Sequence, residues 1–216
     1  MDLKSDNLKH RNTESSEYSN NARIALTIEF YPEEGKYHFT GHRDCNFSQS
    51  AAETKRLGDV CPVCKRKLTV GVEHRVEDLK TREQKFEYKE INGVRYVYPE
   101  ENSRPPYVKL VPLVEIIAEV EGGAAIKTKK VFDQYSTLVN SLGSEFNVLL
   151  RADISELAKF ASPKVVEGIE KVRSGNIKIE PGYDGKFGVV KIWDNDAAIE
   201  TEKLASDQSQ LSLFAA

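Results

Sequence analysis

His42-x-x-Cys45 and Cys61-x-x-Cys64, separated by 15 residues, constrain this chain more than any other feature of its sequence. Two ligands with two residues between them can bend around one ion, because the backbone turns while both side chains converge. Two such knuckles supply four ligands, the closed tetrahedral shell of structural zinc, and one imidazole with three thiolates is among its common sets. A catalytic zinc would need an open position, which four protein ligands do not leave. All three cysteines fall within 20 residues, an odd and clustered count that does not suit a disulfide framework. A redox pair at Cys61 and Cys64 would call for a thioredoxin-like βαβ pattern, which the neighbouring sequence lacks. Lys65-Arg66-Lys67 make the second knuckle an exposed one rather than a pair of buried small hydrophobes. His38 competes with His42 as the fourth ligand, and spacing favours His42. The turn after Cys64 favours glycine, so Lys65 must accept a left-handed backbone or avoid it.

Around this centre the chain divides into four stretches. Residues 1–22 are polar and rich in Ser, Asn, Lys and Glu, with nothing to bury, and read as a disordered tail without the apolar core of a signal peptide. Residues 23–103 form the zinc-binding module, residues 104–193 a C-terminal α+β domain, and residues 194–216 a flexible acidic tail. A β-prone run at Ala25 to Tyr31 ends at Pro32, Thr69 to Val72 is strand-like, and Val76 to Arg82 suits a short helix. Alternation from Phe86 to Tyr98 around Asn92-Gly93 predicts a hairpin. From Pro112 the apolar period becomes helical: one helix stops at Gly122-Gly123, a second runs from Lys130 to Leu142, and two more cover Asp153 to Phe160 and Ser162 to Arg173. Ile177 to Ile179 and Phe187 to Trp193 read as a last pair of strands. The fold class is therefore α+β: a small zinc-ribbon-like module followed by a small, mainly helical domain with a terminal β-hairpin.

Charge excludes some functions and leaves others local. Thirty-one Lys and Arg against 34 Asp and Glu give a net charge of -3, so no global field draws the chain to nucleic acid. No apolar run approaches the roughly 20 residues that span a bilayer, which points to no membrane partner and a cytoplasmic location. Basic residues do gather near the knuckles, at Arg43, Lys65, Arg66, Lys67 and Arg75, and again at Lys127, Lys129 and Lys130 at the start of a helix. These eight are the candidate DNA contacts, since lysine clusters and helix N-termini suit phosphate oxygens; a solvated charged face is the alternative. Gly122-Gly123-Ala124-Ala125-Ile126-Lys127-Thr128 lacks the glycine before lysine of a phosphate loop, which argues against an ATPase.

Five segments in one order resemble the portion that follows the catalytic domain in the endonuclease Q family. They are IEFYPEEGKYH at residues 28–38 with GHRDC at 41–45, CPVCKRKLTVGVEHR at 61–75, RPPYVKLVPLVEII at 104–117, GSEFNVLL at 143–150, and IEPGYDGKFG at 179–188. The resemblance implies DNA repair: the family incises DNA 5′ of deaminated bases and abasic sites. Its catalysis resides in an N-terminal polymerase-and-histidinol-phosphatase (PHP) domain, with a zinc module and C-terminal domain that help hold DNA. This chain matches only those later parts. With four histidines in all, one of them committed to zinc, it lacks the convergent ligands of a metal-dependent phosphodiesterase. No catalytic residue is assigned, and cleavage is expected only with a separate PHP-type chain. A non-enzymatic adaptor with a structural zinc is the alternative.

Near the end of the chain, Gln210-Leu211-Ser212-Leu213-Phe214 is similar to the pentapeptide by which bacterial repair proteins dock on the sliding clamp. Glutamine offers backbone-type hydrogen bonds, and the two leucines and Phe214 are anchors for an apolar pocket. The archaeal and eukaryotic clamp motif, read from Gln208, would want a second aromatic where Ala215 stands.

Overall fold

The structure, a computed structural model, describes residues 24–100 and 104–194. The predicted N-terminal tail and the clamp-like segment, Gln210 to Phe214, lie outside the described residues. The architecture is mixed α+β, with seven α-helices and eight short strands among the described residues. In chain order these are β1 Thr27–Glu29, β2 Thr40–His42, β3 Phe47–Gln49, α1 Ala51–Leu57, α2 Val72–Leu79, β4 Phe86–Ile91, β5 Val94–Pro99 and β6 Tyr107–Lys109. Then follow α3 Leu113–Val120, α4 Lys129–Leu142, α5 Glu145–Leu150, α6 Ile154–Leu157, α7 Pro163–Ser174, β7 Lys178–Glu180 and β8 Val189–Lys191.

Four strands form one sheet in the order β1-β6-β5-β4. The β4–β5 hairpin turns at Asn92 and Gly93, both with positive φ, as a tight two-residue turn requires. β1 pairs parallel with β6, Thr27 opposite Tyr107, so the two strands that flank the cysteine-rich segment lie side by side. Helices α3 to α7 pack on this sheet through one apolar core. Val94 and Val108 from the strands meet Leu113, Ile116 and Ile117 of α3, Leu138 of α4, Leu149 of α5 and Ile169 of α7, all essentially shielded from water. Each such side chain contributes about 1.5–3 kcal/mol through burial.

Helix ends follow their caps. Ser162 accepts from the Val165 amide ahead of Pro163 at the first turn of α7, and Gly175 closes that helix in a left-handed conformation. Ser50 and Glu53 form a reciprocal capping box on α1, which the apolar periodicity did not reveal. Ser144 caps α5, another helix beyond the expected set. Thr69 to Val72 holds one bridge to Gly41 and then passes directly into α2, which starts four residues before the expected helix. Arg173 on α7, almost fully buried, donates hydrogen bonds to the carbonyls of Val148, Leu149 and Ala152, closing the end of α5 with a side chain in place of glycine.

Candidate metal centre

The first knuckle grows from the β2–β3 hairpin, in which His42 opposes Phe47. His42 ends β2; a 3₁₀ turn over Arg43–Cys45 follows, and Asn46 at φ 46° reverses the chain into β3. Asparagine is one of the few residues that enters this left-handed region readily. The second knuckle is a tight loop closed by the Cys61 amide donating to the Arg66 carbonyl (2.8 Å) and the Lys65 amide donating to the Cys61 carbonyl (2.9 Å). Lys65 does adopt the left-handed backbone, at φ 64°, and its Nζ donates to the Pro62 carbonyl. The two knuckles are joined by a pair of hydrogen bonds between Gly41 and Thr69.

His42, Cys45, Cys61 and Cys64 converge: their ligand atoms all lie within 4.8 Å of one another. His42 Nδ1 stands 3.3 Å from Cys64 Sγ. Ligands on a tetrahedral zinc with bonds of about 2.0–2.3 Å would sit about 3.5–3.8 Å apart, so the donor set fits such an ion in kind and in span. The other imidazole nitrogen, Nε2, faces the Asp44 carboxylate at 3.7 Å, beyond hydrogen-bond distance. His38 lies outside the cluster, stacked on Phe39, and His74 on α2 faces Asp78. This cluster could hold a metal ion.

Electrostatics favour the thiolate at Cys61 and Cys64 and oppose it at Cys45. The Arg66 backbone N–H pulls the Cys64 thiol down to about 6. Burial acts to raise Cys61, but the N–H groups of Cys64 and Val63 and the His42 ring outweigh it, and its pKa falls. Burial pushes Cys45 up to about 11, and a hydrogen bond with Cys61 raises His42. A divalent ion with three thiolates and a neutral imidazole carries one net negative charge, and the Arg66 guanidinium at Cys64 supplies the opposite sign.

A turn remote in sequence braces the first knuckle. Asp184, between β7 and β8, accepts from the Arg43 amide (2.8 Å) and from the Thr69 hydroxyl (2.5 Å). The Tyr183 hydroxyl donates to Asn46 Oδ1 (2.9 Å), and the Tyr183 ring lies so close to Gly41 that a Cβ there would sit 2.4 Å from it. Sequence reasoning did not single out Tyr183, Asp184 or Asn46. Asp184-Gly185 was legible as a turn, but nothing local tells where a turn docks.

The candidate DNA contacts fall in two places. Arg43, Lys65, Arg66 and Lys67 surround the cluster, Arg75 lies on α2 beyond it, and Lys127, Lys129 and Lys130 lead into α4. Several carry partners: Lys67 pairs with Asp59 (3.3 Å), Lys130 with Glu121, Arg66 with Cys64, and Arg43 Nε lies 3.9 Å from Asp44. No helix among the described residues is long and apolar enough to cross a membrane.

The family model that matches this chain is the MJ0043 C-terminal domain, over residues 112–176. The uncharacterized protein MJ0043 of Methanocaldococcus jannaschii is 36% identical over 159 residues, covering 74% of this chain and 18% of that protein. The uncharacterized protein YqxK of Bacillus subtilis is 29% identical over 158 residues, covering 73% of this chain and 33% of that one. Among solved structures, the lesion-specific endonuclease PfuEndoQ of Pyrococcus furiosus superposes with a TM-score of 0.63 at 31% identity, over 80% of this chain and 39% of its own. An Endonuclease Q complex with a 27-mer duplex substrate carrying an abasic lesion at the active site gives 0.59 at 30% identity, over 80% of this chain and 40% of its own. The chain thus resembles part of endonuclease Q, and spans well under half the length of the relatives it matches.

Proposed function

We propose that this chain is the zinc-binding, DNA-holding portion of an endonuclease Q-like repair protein, positioning a duplex for incision 5′ of deaminated bases by a PHP-type catalytic unit. The observation that carries the reading is a structural match to endonuclease Q over 80% of this chain at about 30% identity, in a relative seen with duplex DNA. In this reading His42, Cys45, Cys61 and Cys64 hold a structural Zn2+, which adds folding free energy to residues 23–103 and presents Arg43, Lys65, Arg66, Lys67 and Arg75 to phosphates. Lys127, Lys129 and Lys130, at the start of α4 in the unit over residues 104–193, extend that contact. Gln210, Leu211, Ser212, Leu213 and Phe214 tether the complex to the sliding clamp, raising its local concentration at replicating DNA in the cytoplasm.

The test is a DNA titration at several salt concentrations with zinc-loaded protein, followed by incision assays on uracil-containing duplex. Phosphate contacts give a log–log slope of about -0.9 per contact. Cleavage by this chain alone, without a PHP-type partner, would overturn the division of labour.

A second reading, a protein-interaction adaptor, draws on α2. That helix turns Val72, Val76 and Leu79 to solvent and its half-buried polar residues Glu73, His74 and Glu77 inward, the reverse of a helix with no partner. Flat salt dependence would favour it.

A further inference from the structure

The turn from Pro181 to Gly188 is stitched to residues 33–39 by backbone hydrogen bonds, and this rigid junction holds aromatic rings and cations out in solvent. The Gly182 amide donates to Glu33 O (2.8 Å), Gly188 to Glu34 O (3.0 Å), Gly185 to Lys36 O (2.9 Å), and Phe39 to Gly182 O (2.8 Å). The approach is so close that a Cβ on Gly188 would lie 2.1 Å from the Glu33 carbonyl oxygen. On this frame Phe187 is 68% exposed and Tyr37 is 45% exposed. Lys36 Nζ lies 5.5 Å from the Tyr37 ring centre and 5.7 Å from that of Phe187. Arg43 and the Tyr37 hydroxyl both lie beside Gly185, and Lys186 lies over Tyr183.

Three of the four carboxylates nearest this junction are already engaged, and Glu34 is the one without an ion pair among the described residues. Asp184 is engaged by Arg43 N and Thr69, Glu33 faces Lys109, and Glu180 faces Lys178 and Lys191. The ion pairs found among the described residues give Lys36 and Lys186 no carboxylate. Beside Phe187 an open hollow of about 250 Å³ has mixed walls, apolar at Ile179, Tyr183 and Val189 and polar at Ser48, Glu180 and Lys186.

We propose that Phe187 and Tyr37, with Lys36 and Lys186, form a stacking platform for unpaired bases of a DNA strand, a site separate from the duplex contacts near the knuckles and α4. The proposal rests on the DNA-binding reading above and adds the strand state that this surface selects. Exposed rings flanked by cations match what single strands offer, a base face and a phosphate on each nucleotide, whereas a duplex keeps its base faces inside the stack. A surface built for duplex phosphate alone would gain nothing from two rings held on a stiff junction.

The experiment uses the full zinc-loaded chain and fluorescence anisotropy with a labelled mixed-sequence single strand of about 12 nucleotides and the matching duplex. Phe187→Ala and Tyr37→Ala each weaken single-strand binding about 5- to 100-fold and leave duplex binding within about two-fold. Phe187→Trp restores the affinity, and Lys36→Gln with Lys186→Gln lowers the single-strand salt slope by about 1.4, at roughly 0.7 per contact. Unchanged zinc content and melting temperature show that each variant is folded. Alanine variants that bind the single strand as the parent does overturn this proposal and leave the function reading standing. Equal losses on both DNAs reduce the patch to a phosphate contact and overturn it too. A parent protein that binds neither DNA removes both.

Discussion

Asp184 offers the most direct way to ask whether the β7–β8 turn braces the metal centre. Replacing it with alanine removes two acceptors, for the Arg43 amide and the Thr69 hydroxyl. Those two bonds are worth about 1–3 kcal/mol together, because the partners are partly exposed and can turn to water. Asp184 also sits at φ 46°, where a Cβ without a helpful polar group costs about 1 kcal/mol more. Asp184→Ala should therefore lose about 2–4 kcal/mol. Asp184→Asn tolerates the left-handed backbone and keeps one acceptor, at the expense of an NH₂ facing the other donor, and should lose about 1 kcal/mol. Asp184→Gly separates the contributions: it loses both hydrogen bonds but not backbone freedom, and should lie about 0.5–1 kcal/mol above the alanine variant. Urea unfolding of zinc-loaded protein measures the order, and transfer of zinc to a chromophoric chelator reads the centre directly, with faster release as the brace weakens. An alanine variant as stable as the parent, or an asparagine variant as damaged as alanine, would show that the turn merely touches the knuckle.

Four further outcomes test the centre and the tail. Cys61→Ser or Cys64→Ser should abolish stoichiometric zinc and collapse the cooperative melt, since a structural ion can contribute on the order of 10 kcal/mol to folding; an unchanged melt would make the ion dispensable. Zinc loading near pH 7 should release fewer protons than three thiols and a protonated His42 could supply together, because Cys64, held at about 6, has already lost its own, whereas Cys45, at about 11, has not; affinity should strengthen as pH rises, and release of four protons in a pH-stat titration would contradict the preformed site. Lys65→Gly should hold or raise stability, by up to about 1 kcal/mol, as it relieves a left-handed backbone at φ 64°; a loss larger than that would mean the Nζ contact to Pro62 outweighs the strain. Leu213→Ala with Phe214→Ala should end clamp capture in a pull-down and leave zinc content and DNA affinity as they were.

What the sequence disclosed was whatever depends on neighbours in the chain. The ligand spacing named the four residues that converge, and Asn92-Gly93 marked the hairpin, because both constraints act within a few residues. Lys65 was legible as a backbone conflict, since the knuckle fixes its conformation. The capping box on α1 was present in Ser50 and Glu53, but the helix buries only Ala51 and Thr54, so no apolar stripe announced it. The Asp184 brace was beyond reach: its partner lies 141 residues away, and no local propensity encodes that meeting. The parallel register of β1 and β6 is hidden for the same reason. Three-residue strands carry too little alternation to identify a mate.

That parallel pairing sets an order of events during synthesis. β1 leaves the ribosome with no mate, and β6 begins 78 residues after β1 ends; at about 5–20 residues per second the wait is roughly 4–16 s. All four ligands have emerged by residue 64, some 43 residues before β6 starts. All four ligands are therefore available to a metal ion before the parallel partner of β1 has been made.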